Sequence, residues 1–311
     1  MTGAIHQEVF GPGQEFPDPD AQRRLAVLVG LEEHRQRLEK GLRLIVDPHA
    51  IETWSERHHG RRLAVIDNFR RRPPLFILAG DVGTGKTALG ETIGDAVARA
   101  EKIGVTLFRL SLASRGTGLV GEMTRLVTTA FSQVGDLAAK AKAKQGKARA
   151  GYILLIDEAD ALAQSREATQ MHHEDRAGVN ALIRGIDDFS VRQLPVAVIM
   201  CTNRLTAIDP AVRRRAADII PFSRPTPEHR RHILESALAH AGFTAADIRK
   251  LVDITGDGKG RLGFTFSDLT QRLLPNLVLD AFPDRPLRFE RALELATTMA
   301  PTPAFRDEAT H

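Results

Sequence analysis

Residues 80–87 have the types and spacing of a loop that binds phosphate. They read Gly80-Asp81-Val82-Gly83-Thr84-Gly85-Lys86-Thr87 and match the template G-x-x-x-x-G-K-[ST]. Backbone N–H groups in such a loop attract an anion, and the helix expected to start at Ala88 adds partial positive charge at its N-terminus. We expect Lys86 to reach the β- and γ-phosphates of a nucleotide and the Thr87 hydroxyl to hold Mg²⁺, with Ala88 also beside the phosphates.

Two adjacent carboxylates follow a second apolar stretch. Residues 152–157 are predicted to form a buried strand that ends at Asp157, and Glu158 follows directly. We expect Asp157 to coordinate Mg²⁺ and Glu158 to polarise the water that attacks the γ-phosphate. Taken alone, the pair could be two solvated acids in a turn at a strand end, but the phosphate loop favours the catalytic interpretation.

Polar residues near the end of another apolar stretch complete the candidate site. Asn203 comes two residues after the predicted strand 196–201, where a side chain could orient the attacking water. Arg213, Arg214 and Arg215 come next, on a short predicted helix. They cannot all serve one site in their own subunit, so we expect Arg214 or Arg215 to reach the γ-phosphate bound to a neighbouring subunit. A solvated basic turn is the alternative.

The elements that must position these residues alternate between strand and helix, which is typical of an α/β fold with a parallel sheet. Helices alone follow Pro225, and Pro275 is expected to kink or split the one predicted over 265–282. We therefore predict a parallel five-stranded sheet flanked by helices, followed by a small helical lid domain. The five predicted strands cover residues 75–79, 105–110, 152–157, 196–201 and 219–222.

The distribution of glycine, proline and apolar residues predicts a domain order. Residues 1–24 are rich in Gly and Pro and are expected to form a mobile arm. A helical linker is predicted over 25–60, the large α/β domain over 61–225, the small helical domain over 226–300 and a tail over 301–311.

Composition excludes several classes of protein. The net charge of +4 is too small to indicate a strongly basic surface for nucleic acid, so nucleic acid is not an expected partner. The sequence contains no apolar run of the length that spans a membrane, and no membrane association is expected. The single cysteine, Cys201, cannot form an internal disulfide and fits a reducing, cytoplasmic location.

The phosphate loop, the acid pair, Asn203 and the arginine run together resemble the AAA+ ATPases, over residues from about 29 to 299. The resemblance implies that Val29 and Gly30 border the adenine of ATP and that Ile233 closes the same pocket. It also implies a homo-oligomer, in the form of a hexamer, with ATP and Mg²⁺ bound between subunits.

Within AAA+, the chain is similar to the pachytene checkpoint ATPases, which remodel HORMA-domain proteins. The similarity rests on residues 155–158, 179–187, 208–209, 215–219, 272–275 and 287–293. It implies a HORMA-domain substrate, and the short N-terminal part resembles compact bacterial relatives found with antiphage nucleotide-signalling systems. Ser267 stands where the family has a lid arginine, and Arg272 is a possible substitute.

The resemblance also implies two loops that line a central pore. Leu119 and Val120 would lie in the first, and residues 164–175 would form the second. Because Leu119 and Val120 are not aromatic, we expect a softer grip on the substrate, suited to local remodelling more than to complete unfolding.

Two other functions remain open at this point. The first is a nucleic-acid-linked AAA+ machine, such as a clamp-loader-like ATPase, which would show salt-sensitive DNA binding. The second is an ATP-gated scaffold that assembles without useful turnover, although a pure switch does not need the acid at Glu158. A helicase is disfavoured because about 150 residues follow the acid pair and the last 85 of them are predicted to be helical.

Overall fold

The computed structural model describes residue 10 and residues 12–70, 72–110, 122–143, 146–159, 173–258 and 260–304. The chain forms two compact units. The first comprises residues 1–26, 33–79 and 87–221, and the second comprises 27–32, 80–86 and 222–311. These units differ from the predicted domains, because residues 27–32 and 80–86 group with the C-terminal part of the chain.

A mostly parallel sheet of six strands carries the α/β fold. The strands are β1 (Gln14–Phe16), β2 (Leu75–Gly80), β3 (Gly104–Leu110), β4 (Ala150–Ile156), β5 (Val196–Thr202) and β6 (Ala216–Phe222). Their order across the sheet is β1-β3-β4-β5-β2-β6, and the pairs β3–β4, β4–β5 and β5–β2 are parallel. The five predicted strands are therefore present, with bounds shifted by one to three residues.

The sixth strand lies in the segment predicted to be a mobile arm. Strand β1 pairs antiparallel with β3, and Phe16 is buried. Helix α1 (Pro19–Ala26) follows, and the Asp18 N–H donates to Asp95 Oδ1 at 2.7 Å. The prediction of a mobile arm was therefore wrong for residues 12–24. A three-residue strand among glycines and prolines has too few residues to show a periodic pattern.

The first unit contains further helices. They are α2 (Glu32–Val46), α3 (Ala50–His59), α4 (Ile66–Arg70), α5 (Lys86–Glu101), α6 (Glu122–Ala141), α7 (His173–Val191) and α8 (Pro210–Arg213). Helices α6 and α7 share an apolar core with the strands of the sheet. Every residue of β5 is buried, as expected for a central strand of a parallel sheet. Gly185 on α7 lets Phe131 of α6 approach closely, because a Cβ at Gly185 would lie 2.2 Å from the Phe131 ring.

The second unit is helical, with its own apolar core that includes Leu234, Leu251 and Phe264. Its helices are α9 (Pro227–Ala237), α10 (Ala245–Ile254), α11 (Leu274–Ala281) and α12 (Phe289–Thr298). A π-helical turn, Asp268–Leu273, leads directly into α11. The expected interruption near Pro275 is thus present, since Pro275 falls in the first turn of α11, where a missing N–H costs little.

Candidate functional site

The phosphate loop has the backbone conformation that its glycines permit. Gly80, Gly83 and Gly85 have φ angles of 156°, 75° and 96°, which side chains disfavour. A Cβ on Gly80 would also lie 2.0 Å from the carbonyl oxygen of Phe222. Helix α5 begins at Lys86, so the loop ends at a helix N-terminus, as an anion site requires. The remaining loop positions differ in burial, with Thr84 buried and Val82 42% exposed.

Lys86 is buried and held across the loop. Its Nζ donates to the carbonyl oxygens of Gly80 and Asp81, at 2.7 Å each. The Thr84 hydroxyl donates to the same Asp81 carbonyl at 2.8 Å. An ammonium group and loop N–H groups in one turn suit a triphosphate, so the residues present fit the nucleotide that the motif predicts.

Arg224 also holds the phosphate loop, and no sequence motif predicted this role. Its Nε donates to Asp81 Oδ2 at 2.9 Å, and its two terminal nitrogens donate to the carbonyl oxygens of Gly263 and Thr302, at 2.6 and 2.8 Å. All of these residues belong to the second unit. Arg224 therefore ties the loop to the helical part of the chain, a contact between residues 143 positions apart that no local pattern indicates.

The predicted metal ligands meet within the first unit. The Thr87 hydroxyl donates to Asp157 Oδ1 at 3.1 Å, and the Glu158 N–H donates to the same oxygen at 3.0 Å. A hydroxyl and a carboxylate supply the hard oxygen ligands that Mg²⁺ prefers. The residues present therefore fit a magnesium ion.

Glu158 follows the buried strand β4 in an uncommon conformation. Its φ is 50°, in the left-handed region, and its side chain is exposed. This conformation costs a non-glycine residue about 1 kcal/mol and is concentrated at functional sites. The exposed carboxylate is accessible to a water molecule.

Asn203 lies at the same edge of the sheet as the acid pair. It follows β5, whose Met200 pairs with Ile156 of β4 in a parallel register. Because parallel neighbours end at one edge, Asp157 and Asn203 come from adjacent strand ends. Asn203 is half-buried, and the following N–H, that of Arg204, donates to Thr202 Oγ1 at 3.0 Å.

Arg109 on β3 is a second residue that no sequence motif predicted. Its Nη2 donates to Asp157 Oδ2 at 2.8 Å, and its Nη1 donates to Glu91 Oε1. The available signal was a charged residue between Phe108 and Leu110, in a mostly apolar predicted strand.

The three successive arginines have different environments. Arg215 is bidentate to Asp187 on α7, with distances of 2.7 and 3.0 Å, and this bond holds the pKa of its guanidinium above the usual value. Arg214 is exposed. Arg213 is half-buried, and within the described residues its Nε has no hydrogen-bond partner. Arg214 is therefore the arginine presented to solvent, whereas Arg215 is anchored in its own subunit.

The residues assigned to the adenine pocket by resemblance lie in the second unit. Gly30 has a φ of 71°, and a Cβ there would lie 2.6 Å from the His229 ring of α9. Val29 packs against the core of this unit, and Ile233 is buried within it. Ala88, expected beside the phosphates, lies in the first turn of α5.

The two residues considered for the lid position, Ser267 and Arg272, are both hydrogen-bonded within the second unit. The Ser267 hydroxyl donates to Gln271 at 2.9 Å, and its N–H donates to the Gly83 carbonyl at 3.1 Å. Arg272, the possible substitute, donates to buried Asp268 at 2.6 Å.

Some predictions concern residues that the structure does not describe. Leu119 and Val120, assigned to the first pore loop, lie outside the described residues, as does most of the 164–175 segment. In the described ranges, we find no helix with the length and apolar character needed to cross a bilayer. The same ranges contain no cluster of three or more His, Cys, Asp or Glu residues arranged to bind a metal.

Known proteins share both the sequence and the fold of this chain. Residues 76–224 match the model of the ATPase family associated with various cellular activities (AAA). CD-NTase-associated protein 6 of Escherichia coli strain MS 115-1 is 55% identical over 301 residues, covering 96% of this chain and 97% of that protein. A chain in the solved E. coli MS115-1 HORMA:CdnC:Trip13 complex is 53% identical, with a TM-score of 0.90 and coverage of 96% and 98%. The solved Rhizobiales Trip13 is 47% identical, with a TM-score of 0.76 and coverage of 95% and 100%.

Proposed function

The chain belongs to the AAA family of ATPases, in the group of CD-NTase-associated protein 6, and from this we propose that it uses ATP to remodel a HORMA-domain protein. The ATPase activity follows from family membership. The HORMA partner is supported by the solved E. coli complex of HORMA, CdnC and Trip13, one chain of which is 53% identical to this protein. By the same reasoning, the remodelling would regulate a bacterial antiphage nucleotide-signalling system in the cytoplasm, where ATP is available.

The observation that carries the hydrolytic part of the proposal is the shared oxygen of Asp157. This oxygen accepts from both Thr87 and the Glu158 N–H, so the helix after the phosphate loop and the end of β4 meet at one carboxylate. Lys86 and the loop N–H groups bind phosphate, Thr87 and Asp157 hold Mg²⁺, and Glu158 and Asn203 orient water. Bound Mg²⁺ would neutralise charge on the phosphate oxygens.

We further propose a hexamer in which Arg214 of one subunit completes the site of its neighbour. Arg214 is exposed, whereas Arg215 is bonded to Asp187 in its own subunit. Arg214 is therefore the better candidate to contact a nucleotide bound to a neighbouring subunit. An arginine supplied in trans stabilises charge that develops in the transition state.

Replacing Arg214 by Ala is expected to lower kcat about a hundredfold with little change in nucleotide affinity, because the contact forms mainly in the transition state. Steady-state ATPase assays and equilibrium binding measure the two effects. Arg215→Ala is the comparison variant, and its main expected effect is lower stability from the loss of the Asp187 pair.

Subunit mixing distinguishes an arginine acting in trans from one acting in its own subunit. Arg214→Ala and Glu158→Gln are each expected to be almost inactive alone. Mixed rings should recover activity, because some interfaces then combine an intact Glu158 with an intact Arg214 from the neighbour. If mixtures stay inactive although the subunits exchange, Arg214 does not act across the interface.

The remodelling proposal is tested with the Glu158→Gln protein as a trap. We expect it to bind ATP, hydrolyse it very slowly, and retain a HORMA-domain protein when pulled from a nuclease-treated host lysate. Mass spectrometry should find this partner with ATP and not with ADP. Recovery of replication or repair proteins, with salt-sensitive DNA binding by the purified chain, would favour the nucleic-acid-linked machine instead. Partner binding without turnover by the wild type would favour the ATP-gated scaffold.

A further inference from the structure

Asp157 is held by different groups at its two oxygens. Oδ1 accepts from the Thr87 hydroxyl and the Glu158 N–H, on the side expected to face metal. Oδ2 accepts from Arg109 Nη2 at 2.8 Å. The terminal torsion of an aspartate is soft, so without a charged partner the carboxylate could rotate. The Arg109 bond removes that freedom and leaves Oδ1 directed at Thr87.

Arg109 is itself fixed by a second carboxylate. Its other terminal nitrogen, Nη1, donates to Glu91 Oε1, so one guanidinium joins β3, the residue that follows β4, and α5. Glu91 is only 22% exposed, whereas Arg109 is 49% exposed. The planar fork of arginine suits two carboxylates at once, and a lysine could not hold both in this geometry.

The Glu91 carboxylate also balances the positive charge of Arg109 near the proposed metal site. An isolated guanidinium beside a metal ligand would repel a divalent cation and compete with it for Asp157. Paired with Glu91, Arg109 adds no net charge to the site. The pair can therefore orient Asp157 without opposing the metal. Arg24 Nη1 lies 3.8 Å from the other Glu91 oxygen and adds a weaker positive contact.

We propose that Arg109, fixed by Glu91, is a positioning residue that orients the Asp157 carboxylate for Mg²⁺. This inference rests on the proposed magnesium site at Thr87 and Asp157. Removing a residue that hydrogen-bonds to a metal ligand and orients it typically lowers metal affinity by about 10- to 100-fold.

The test measures how Mg²⁺ changes the affinity for a non-hydrolysable ATP analogue, in the full-length protein. The variants are Arg109→Gln, Glu91→Gln and the double variant, which removes both charges and leaves the net charge unchanged. We expect the Mg²⁺ concentration at half-saturation to rise about tenfold in Arg109→Gln and in the double variant. Affinity measured in EDTA should stay within about twofold of wild type for the double variant, because the phosphate loop is intact.

Arg99→Gln is the matched control. Arg99 on α5 is about as exposed as Arg109, and it forms an ion pair with Asp95 on the same helix. The Arg99→Gln variant should keep the wild-type Mg²⁺ dependence of nucleotide binding. Circular dichroism checks the fold of each protein. If Arg109→Gln does not fold, Arg109→Lys keeps the charge and should show an intermediate shift.

The outcomes separate this inference from the proposed site. If the wild type binds the analogue equally well with and without Mg²⁺, the proposed magnesium site is wrong. If the wild type responds to Mg²⁺ and the double variant matches it, Arg109 does not position Asp157. A lower half-saturation concentration in the double variant would also overturn the inference, because the pair would then oppose metal binding.

Discussion

The Glu158→Gln protein is expected to hydrolyse ATP about 10²- to 10⁴-fold more slowly than the wild type. Glutamine has the same shape as glutamate but cannot take a proton from the attacking water. The left-handed backbone at Glu158, with φ of 50°, needs no change for this substitution. The bond from its N–H to Asp157 Oδ1 is also kept. Nucleotide affinity should therefore change little, and single-turnover hydrolysis with equilibrium binding measures both quantities.

Asp188→Asn serves as the control for removing one negative charge. Asp188 is exposed on α7 and paired with Arg192, so its variant should retain wild-type turnover. A second comparison, Asp157→Asn, is expected to weaken the Mg²⁺ dependence of nucleotide binding, because Asp157 is the proposed ligand. Glu158→Gln with near-normal turnover would exclude Glu158 as the group that activates water.

The parts of the site that the sequence predicted are those encoded in short segments. The phosphate loop could be identified because three glycines, a lysine and a threonine occur within residues 80–87, between a strand and a helix. The strand ends at Asp157 and Asn203 could be identified because each follows a buried apolar run. In these segments, local composition is sufficient to specify the local backbone.

The parts that the sequence did not predict depend on contacts between distant positions. Arg224 reaches Asp81 across 143 residues, and Arg109 reaches Asp157 across 48. An arginine can pair with any accessible carboxylate, so residue type alone does not select the partner. The same holds for the arginine run, where only the structure shows that Arg215 is bonded to Asp187 and Arg214 is exposed. Strand β1 was missed because its stability comes from pairing with β3 and from burial of Phe16.

Asp268→Ala is expected to lower the free energy of unfolding of the second unit by about 3 kcal/mol, because it leaves buried donors without acceptors. The Asp268 side chain is fully buried. It accepts from the N–H groups of Thr265 and Thr302, from the Thr302 hydroxyl and from Arg272, at 2.6 to 3.0 Å. Urea unfolding followed by circular dichroism measures the change. Asp280→Asn, which removes a more exposed ion pair with Arg291, is the control and should have a smaller effect.

We also expect the free energy of unfolding to depend on pH through Asp268. This dependence isolates the contribution of the Asp268 charge to stability. Burial alone would raise the pKa of Asp268, but the hydrogen bonds from Thr265, Thr302 and Arg272 outweigh it and hold the pKa below its usual value. A carboxyl group with a depressed pKa in the folded state stabilises that state above its unfolded pKa, about 3.9 for aspartate. This stabilisation is lost as the pH falls through the lower, folded value. The difference in unfolding free energy between wild type and Asp268→Asn should therefore be constant near neutral pH and shrink below about pH 4. A difference that stayed constant down to about pH 2 would mean that the Asp268 charge does not stabilise the fold.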